Sequence, residues 1–220
     1  MGQLIYLSDR RADQSRPSLG PAAFFYSLDC PISYLTAERV ERALGDIEWI
    51  PVVGPLSESS GLRSSDERLS LAYERLALAE RDARLLSLPL VEPQRYPMDC
   101  RRASRAAVWA GSHGRGATFA LAIARLGFCG GFDVADDDVI AEAAAVAGLN
   151  PEHAIDAARD YRHDYQLEAT AGGLQERGIV TPPAIRIGTR WFHGSDAVIA
   201  AVSFSAAQPR SDDAPQMPVS

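Results

Sequence analysis

A buried strand leads directly into a cysteine, a proline and a helix near the start of this chain. The apolar, aromatic run at 22–28 predicts a buried strand. Cys30 follows it, and Pro31 suits the first position of a helix, where a missing N–H group has no partner to lose. Apolar residues at helical spacing then predict a helix over 32–44. The order of these elements places the Cys30 thiol at the start of a helix.

The chain is predicted to have strands at both ends of a long helical stretch. Residues 47–53 form a second predicted strand, and a β-α-β unit implies a parallel pair with a right-handed crossover. Near the other end, 184–187 and 190–192 predict two strands joined by a tight turn at Gly188, before a final helix at 197–204. This distribution predicts an α/β core that carries a helical insertion.

Helical signals fill the interval between the two groups of strands. The predicted helices cover 66–88, 100–110, 117–126, 138–147, a segment starting at Asn150-Pro151, and 164–177. We therefore divide the chain into an N-terminal extension at 1–20, a core at 21–56 and 178–205, a helical insertion at 57–177 and a disordered tail at 206–220.

Composition and charge exclude several classes of function. The net charge is -7, so the chain has no excess of basic residues to neutralise the phosphates of a nucleic acid. All 22 basic residues are Arg, so no Lys is present to form a Schiff base. No apolar run reaches the roughly 18–20 residues of a membrane span. The first residues lack the basic region of a secretory signal, so we expect a cytoplasmic protein without nucleic-acid or membrane partners.

The cysteines do not indicate a disulfide framework or a metal site. Cys30, Cys100 and Cys129 are an odd and widely spaced set, and no Cys or His cluster has the spacing of zinc ligands. Cys100 and Cys129 lack the strand-to-helix setting of Cys30. We expect Cys129 to be packed in the core.

Cys30 is the candidate nucleophile of the chain. Unpaired backbone N–H groups and the positive end of the helix dipole favour a thiolate at a helix N-terminus. Ser33 lies one turn further on, close enough to hydrogen-bond the sulfur, but it cannot resolve a disulfide. The motif Cys30-Pro31-Ile32-Ser33 therefore predicts a single-thiol arrangement. The alternative is that Cys30 is a small buried apolar residue beside a strand.

Two further segments are candidates for ligand binding. Pro183 precedes a predicted strand and is a candidate cis-proline, although an ordinary loop proline would give the same pattern. Ser195 and Asp196 begin the final helix, where they can cap it or hold a ligand that carries a carboxylate and an ammonium group. From the residues alone, capping is the preferred interpretation.

These elements, in this order, resemble the DsbA-like branch of the thioredoxin superfamily. The resemblance covers 24–202. Within this branch the chain is most similar to 2-hydroxychromene-2-carboxylate isomerases and kappa-class glutathione transferases. It is carried by the segments 25–35, 94–97, 176–183 and 191–196. It implies a thioredoxin-like α/β fold with a large all-helical insertion between its βαβ and ββα halves. Proteins of this type are often dimers, so a homodimer is compatible with the resemblance.

The resemblance also implies roles for individual residues. Cys30 stands where the isomerases and kappa transferases usually carry a catalytic serine and where DsbA-type oxidoreductases carry the nucleophilic cysteine. Pro183 matches the cis-proline. Ser195 and Asp196 match residues that grip the γ-glutamyl end of glutathione in the kappa class, and the cofactor implied is glutathione or another low-molecular-weight thiol.

Two departures from the family pattern affect these roles. Cys30 replaces the usual serine, and a cysteine there can form a mixed disulfide with a bound thiol. Pro182 stands where the family offers both N–H and C=O to the backbone of the thiol ligand, and a proline has no N–H. One hydrogen bond, worth on the order of 0.5–1.5 kcal/mol, is therefore lost.

Three functions agree with these observations. The first is a DsbA-family thiol oxidoreductase in which Cys30, supported by Ser33, exchanges with a small-molecule thiol or disulfide substrate. The second is a thiol-dependent isomerase or transferase, in which Pro182, Pro183, Ser195 and Asp196 bind the thiol cofactor. The third is a thioredoxin-like binding module without catalysis.

Overall fold

The computed structural model of the chain describes residues 21–45, 47–53, 64–194 and 196–207. Within them the chain forms four strands and eight helices. In chain order these are β1 (Ala22–Tyr26), α1 (Pro31–Ala43), β2 (Glu48–Pro51), α2 (Ser65–Leu86), α3 (Arg101–Ser112), α4 (Gly116–Phe128), α5 (Asp137–Val146), α6 (Pro151–Arg159), α7 (Arg162–Gln175), β3 (Ala184–Ile187), β4 (Arg190–His193) and α8 (Ala197–Ala206). The predicted N-terminal extension and most of the predicted disordered tail lie outside the described residues.

The four strands form one mixed sheet in the order β2-β1-β3-β4. β1 pairs in parallel with β2, as the β-α-β prediction requires, and the helix α1 makes the crossover. β3 pairs antiparallel with both β1 and β4. The central position of β1 explains why its sequence is apolar throughout: both of its faces are covered.

Alternate residues of β1 contribute to two separate hydrophobic clusters. Phe24 and Tyr26 belong to the large cluster formed with the helices, while Ala23 and Phe25 belong to a smaller cluster on the other face of the sheet. The larger cluster contains the buried faces of α1, α3 and α4. A strand buried on both faces has no polar alternation in its sequence, which is the pattern that the segment 22–28 shows.

The six helices between β2 and β3 confirm the predicted α/β architecture with its helical insertion. Several helix ends differ from the predictions by one or two residues. For example, α3 starts at Arg101 and not at Cys100, although Asp99 Oδ1 still accepts a hydrogen bond of 3.2 Å from the Arg101 amide. The first two strands are also shorter than predicted, since 27–28 and 52–53 lie beyond the paired residues of β1 and β2, whereas β3 has its predicted bounds and β4 is one residue longer.

Local sequence signals explain how two of the connections form. Asn150 caps α6 by accepting a hydrogen bond of 3.1 Å from the His153 amide, and Pro151 takes the first helical position. Gly188 adopts a φ of 57° in the turn between β3 and β4, a conformation that costs glycine little. Both features match their predictions. No helix in the described part of the chain is long and apolar enough to span a membrane.

Candidate active site

Cys30 occupies the position immediately before α1. Its backbone is extended, with φ -109° and ψ 111°, and Pro31 takes the first turn of the helix as predicted. The side chain caps no helix N–H group. The residue is only 2% exposed. The thiol is therefore at a helix N-terminus but is almost completely covered by the surrounding protein.

The loop before β3 lies against this thiol. The peptide bond between Pro182 and Pro183 is cis, which agrees with the prediction for Pro183. Cys30 Sγ lies 3.8 Å from the carbonyl oxygen of Pro182, and the thiol donates this weak hydrogen bond. Two segments 152 residues apart in the chain thus meet at the sulfur.

Ser33 supports the turn that carries the cysteine. Its Oγ accepts a hydrogen bond of 3.2 Å from the Ser27 amide, which fixes the strand-to-helix connection. The Ser33 amide and hydroxyl also act on the sulfur: they oppose, but do not outweigh, the effect of burial, which raises the pKa of Cys30. This is the placement beside the sulfur that the sequence predicted for Ser33.

A buried carboxyl group stands next to the thiol. Asp29 is 6% exposed, and the Ser27 hydroxyl donates a hydrogen bond to its Oδ1. Burial raises the pKa of Asp29, while the Ser27 hydrogen bond and the charge of Arg75 lower it. Sequence analysis did not select Asp29, although a carboxylate directly before a candidate nucleophile was a signal that could have found it.

The pKa of the Cys30 thiol is raised above its ordinary value. Burial is the largest cause, and the neighbouring charge of Asp29 adds to it. The Ser33 amide, the charge of Arg75 and the Ser33 hydroxyl act in the opposite direction. The expectation that the helix start by itself favours a thiolate is therefore not met in this structure, because the cost of burying the charge outweighs these contributions.

The start of α8 does not form the expected cap. Asp196 is exposed and its side chain makes no capping hydrogen bond; only its carbonyl group accepts one, from the Ala200 amide at 3.0 Å. The capping interpretation is wrong for the Asp196 side chain. Ser195 lies outside the described residues, so its predicted role stays a prediction.

The other two cysteines have different surroundings. Cys100 is 8% exposed at the start of α3, and burial raises its pKa. Cys129 is only half-buried, and its Sγ lies 3.0 Å from the Tyr34 hydroxyl. The prediction that Cys129 is packed in the core is confirmed in part: the residue packs against the large cluster at the end of α4, but it is only partly buried.

Solved structures of other proteins share this fold over most of the chain. A structure of 2-hydroxychromene-2-carboxylate isomerase superposes with a TM-score of 0.68 at 16% identity, covering 84% of this chain and 94% of the other. The cytosolic disulfide reductase DsbM from Pseudomonas aeruginosa gives a TM-score of 0.63 at 17% identity, covering 83% and 95%, respectively. A putative protein disulfide isomerase from Nitrosomonas europaea gives 0.62 at 15% identity, covering 84% and 97%. At these identities the likeness shows the fold.

The fold and the cysteine–proline helix start define a thioredoxin-like protein. The sequence model of the DSBA-like thioredoxin domain matches residues 23–203, and the chain belongs to this family. The comparison with curated protein sequences gave no match. The predicted fold class and the resemblance to the DsbA-like branch are confirmed, and the family is one of thiol oxidoreductases and isomerases.

Proposed function

We propose that this protein is a thiol oxidoreductase that works through the single nucleophilic cysteine Cys30. The observation that carries the proposal is the meeting of Cys30 Sγ with the Pro182 carbonyl at the start of α1, with Ser33 beside it. Cys129 Sγ lies equally far, 3.8 Å, from the Pro89 carbonyl, but Cys129 stands at the C-terminal end of α4 and not at a helix start. Around Cys30, the neighbour Asp29 and the nearby Arg75 provide charges of both signs.

The reaction is a thiol–disulfide exchange in two steps. The Cys30 thiol loses its proton and attacks one sulfur of a small disulfide, the S–S bond breaks, and the leaving thiolate takes up a proton. The products are a mixed disulfide on Cys30 and one free thiol. Because Ser33 cannot resolve the mixed disulfide, an external small thiol attacks it and restores the Cys30 thiol. Glutathione is the thiol we propose first, since a structure of the neighbour DsbM contains GSH.

Mass spectrometry of the adduct tests this proposal. We expect oxidised glutathione to add one glutathionyl group to Cys30, identified by peptide mapping, and reduced glutathione to remove it. Cys30→Ser should abolish the adduct, whereas the control Cys129→Ser should retain it. An adduct found only on Cys129, or no adduct at neutral pH, would contradict the proposal. A cytoplasmic location, where small thiols are kept reduced, is part of the same proposal.

The raised pKa of Cys30 favours a second function, a thiol-dependent isomerase or transferase. A thiol that stays protonated can donate a hydrogen bond to the thiolate of a bound cofactor. In this reading Pro182, Pro183, Ser195 and Asp196 bind glutathione or a related thiol. Asp196 is exposed and its side chain makes no capping hydrogen bond, which leaves it available for a ligand ammonium group.

Calorimetry separates the two functions. Reversible glutathione binding that weakens in Asp196→Ala but persists in Cys30→Ser would support the cofactor role. Asp99→Ala is the control, because Asp99 is also an exposed carboxylate beside a helix start. If the protein binds no reduced thiol, or binds it equally well without the Asp196 carboxylate, the isomerase or transferase function is excluded.

A further inference from the structure

Arg75 is a charged residue on the buried side of α2. The small or apolar residues Ala72, Leu76 and Ala79 are buried on this helix, and Arg75 lies three or four positions from Ala72 and Ala79. The residue is partly buried. An arginine at this spacing directs its side chain toward the protein and not toward solvent, unlike the exposed Arg81 and Arg84 of the same helix.

One terminal nitrogen of the Arg75 side chain has no hydrogen-bond partner in the described part of the chain. This nitrogen, Nη1, is buried, and no ion pair within 4.0 Å joins the side chain to a carboxylate of the described residues. Buried nitrogen atoms of a guanidinium are costly to leave unpaired. Nη1 is therefore a donor available to a negative charge that develops nearby.

The reacting sulfur is within the electrostatic reach of this guanidinium. The charge of Arg75 lowers the pKa of both Cys30 and Asp29. Tyr96 anchors the neighbouring loop to the same turn of α2, since its hydroxyl donates a hydrogen bond of 2.9 Å to the Ala72 carbonyl. Arg75 thus belongs to the surroundings of the thiol, although it is 45 positions further along the chain.

The other titratable groups around the thiol do not supply a positive charge. Asp29 precedes it on its own element, Tyr96 approaches from the loop before α3, and Tyr73 of α2 hydrogen-bonds to Glu92. Cys100, at the start of α3, is near enough to be affected by the Asp29 charge. Arg75 is the cation whose charge acts on Cys30 in the described part of the chain.

We propose that Arg75 is a positioning residue of the active site. Its buried and unpaired nitrogen stabilises the negative charge that develops on the sulfur when Cys30 reacts. This inference rests on the proposed thiol chemistry of Cys30. In the resting protein the thiol is protonated and donates to the Pro182 carbonyl. When the proton leaves, the sulfur becomes an acceptor, and the guanidinium stabilises it across a buried region in which charges are weakly screened.

The pH dependence of Cys30 alkylation tests the proposal. Iodoacetamide rates at Cys30, followed by peptide mass spectrometry to separate the three cysteines, are measured from acid to alkaline pH. We expect Arg75→Gln to move the midpoint of the rate profile upward by about one pH unit or more, as for the loss of an opposite charge near a titrating group. Arg75→Lys, which keeps the charge, should recover part of the shift. Arg84→Gln, an exposed position on the same helix, should leave the midpoint unchanged.

Each outcome decides the role of Arg75 separately from the function of Cys30. An unchanged midpoint in folded Arg75→Gln would overturn the inference even if wild-type Cys30 forms the mixed disulfide. A shifted midpoint without any mixed disulfide would keep the inference on Arg75 and remove the proposed oxidoreductase function. If Arg75→Gln does not fold, Arg75→Met, whose stem fits beside Ala72 and Ala79, replaces it in the same measurement. Circular dichroism confirms folding of each variant.

Discussion

Tyr26 and Tyr34 are almost equally buried, but their hydroxyl groups have different surroundings. Tyr26 is 3% exposed and its hydroxyl has no hydrogen-bond partner among the residues that the structure describes; burial raises its pKa strongly. Tyr34 is 1% exposed and its hydroxyl donates to the Pro89 carbonyl at 3.0 Å while contacting Cys129 Sγ. An unpaired buried hydroxyl costs free energy, whereas a paired one offsets that cost.

The two tyrosines should therefore respond differently to the loss of the hydroxyl. We expect Tyr34→Phe to lower the free energy of unfolding by about 1 kcal/mol, because the hydrogen bond to Pro89 is lost. Tyr26→Phe, the matched variant, should leave stability unchanged or raise it, because no bond is broken. Urea unfolding of both variants checks this. Equal losses in the two variants would mean that the Tyr26 hydroxyl has a partner in solution.

At the scale of the elements, α5 and α6 begin in different ways. Asn150 accepts a hydrogen bond from the His153 amide at the start of α6. Asp136 occupies the corresponding position of α5, but its side chain makes no capping hydrogen bond. The two helices pack beside each other in the helical part of the molecule. Their N-termini thus allow a direct comparison of a formed and an unformed cap.

Removing the two side chains should separate these contributions. Asn150→Ala is expected to lower the free energy of unfolding by about 1 kcal/mol, the usual cost of losing a capping hydrogen bond. Asp136→Ala should cost less, because only the favourable interaction of its charge with the helix dipole is lost. Thermal unfolding of both variants measures the difference. A larger loss for Asp136→Ala would contradict the observed caps.

At the scale of the whole molecule, a buried arginine ties three helices together. Arg105 of α3 is 5% exposed and pairs through two nitrogens with Asp164 of α7, at 2.8 and 2.7 Å. Its Nη1 also donates to the Ala158 carbonyl of α6, and its guanidinium lies 4.1 Å from the centre of the Tyr161 ring. Hydrogen bonding to Arg105 lowers the pKa of Asp164. The helical part of the chain is thus held by a charge pair as well as by apolar packing.

This pair should make the stability of the whole protein depend on pH in the acid range. Because the pKa of Asp164 is lower in the folded than in the unfolded state, its contribution is full above about pH 4 and is lost as the pH falls through the folded pKa. We expect Asp164→Asn to lower the free energy of unfolding by about 2 kcal/mol at neutral pH. The difference from the wild type should shrink as the solution is acidified.

Urea unfolding across this pH range measures the effect. Asp160→Asn is the control: hydrogen bonds from Arg162 lower the pKa of Asp160 to about 2, but Arg162 is exposed and solvent screens the pair, so it contributes little to stability. A constant difference between Asp164→Asn and the wild type down to the lowest pH would contradict the assignment. A loss of stability in Asp160→Asn as large as that in Asp164→Asn would also contradict the assignment.

Local patterns in the sequence were sufficient for most of the elements. The apolar run of β1, the Cys30-Pro31 helix start, the Asn150 cap and the Gly188 turn are all features whose cause lies within a few residues. Helix ends were less accurate: α4 continues past its predicted end through the buried residues Gly127 and Phe128, while α3 continues through two exposed residues, Gly111 and Ser112. Neighbours distant in sequence decide where such a helix stops.

The part of the candidate site that could be predicted also depends on neighbours in the sequence. Cys30 and Ser33 lie one turn apart, so their relation follows from the helix alone. Arg75, by contrast, belongs to a different helix, and its electrostatic effect on the thiol depends on the packing of α2 against α1. The only signal in the sequence was an arginine among the buried positions Ala72, Leu76 and Ala79. That pattern shows a charge facing inward but not what it faces.

The sequence by itself determined the position of the thiol at a helix start and the family to which the chain belongs, because both depend on short-range patterns in chain order. Only the tertiary structure decided the chemical state of that thiol. Burial raises the pKa of Cys30 and Asp29, and the charge of Arg75 opposes this increase. Solvation and charge proximity depend on which residues surround a group in space, and the linear order of the chain does not contain that information.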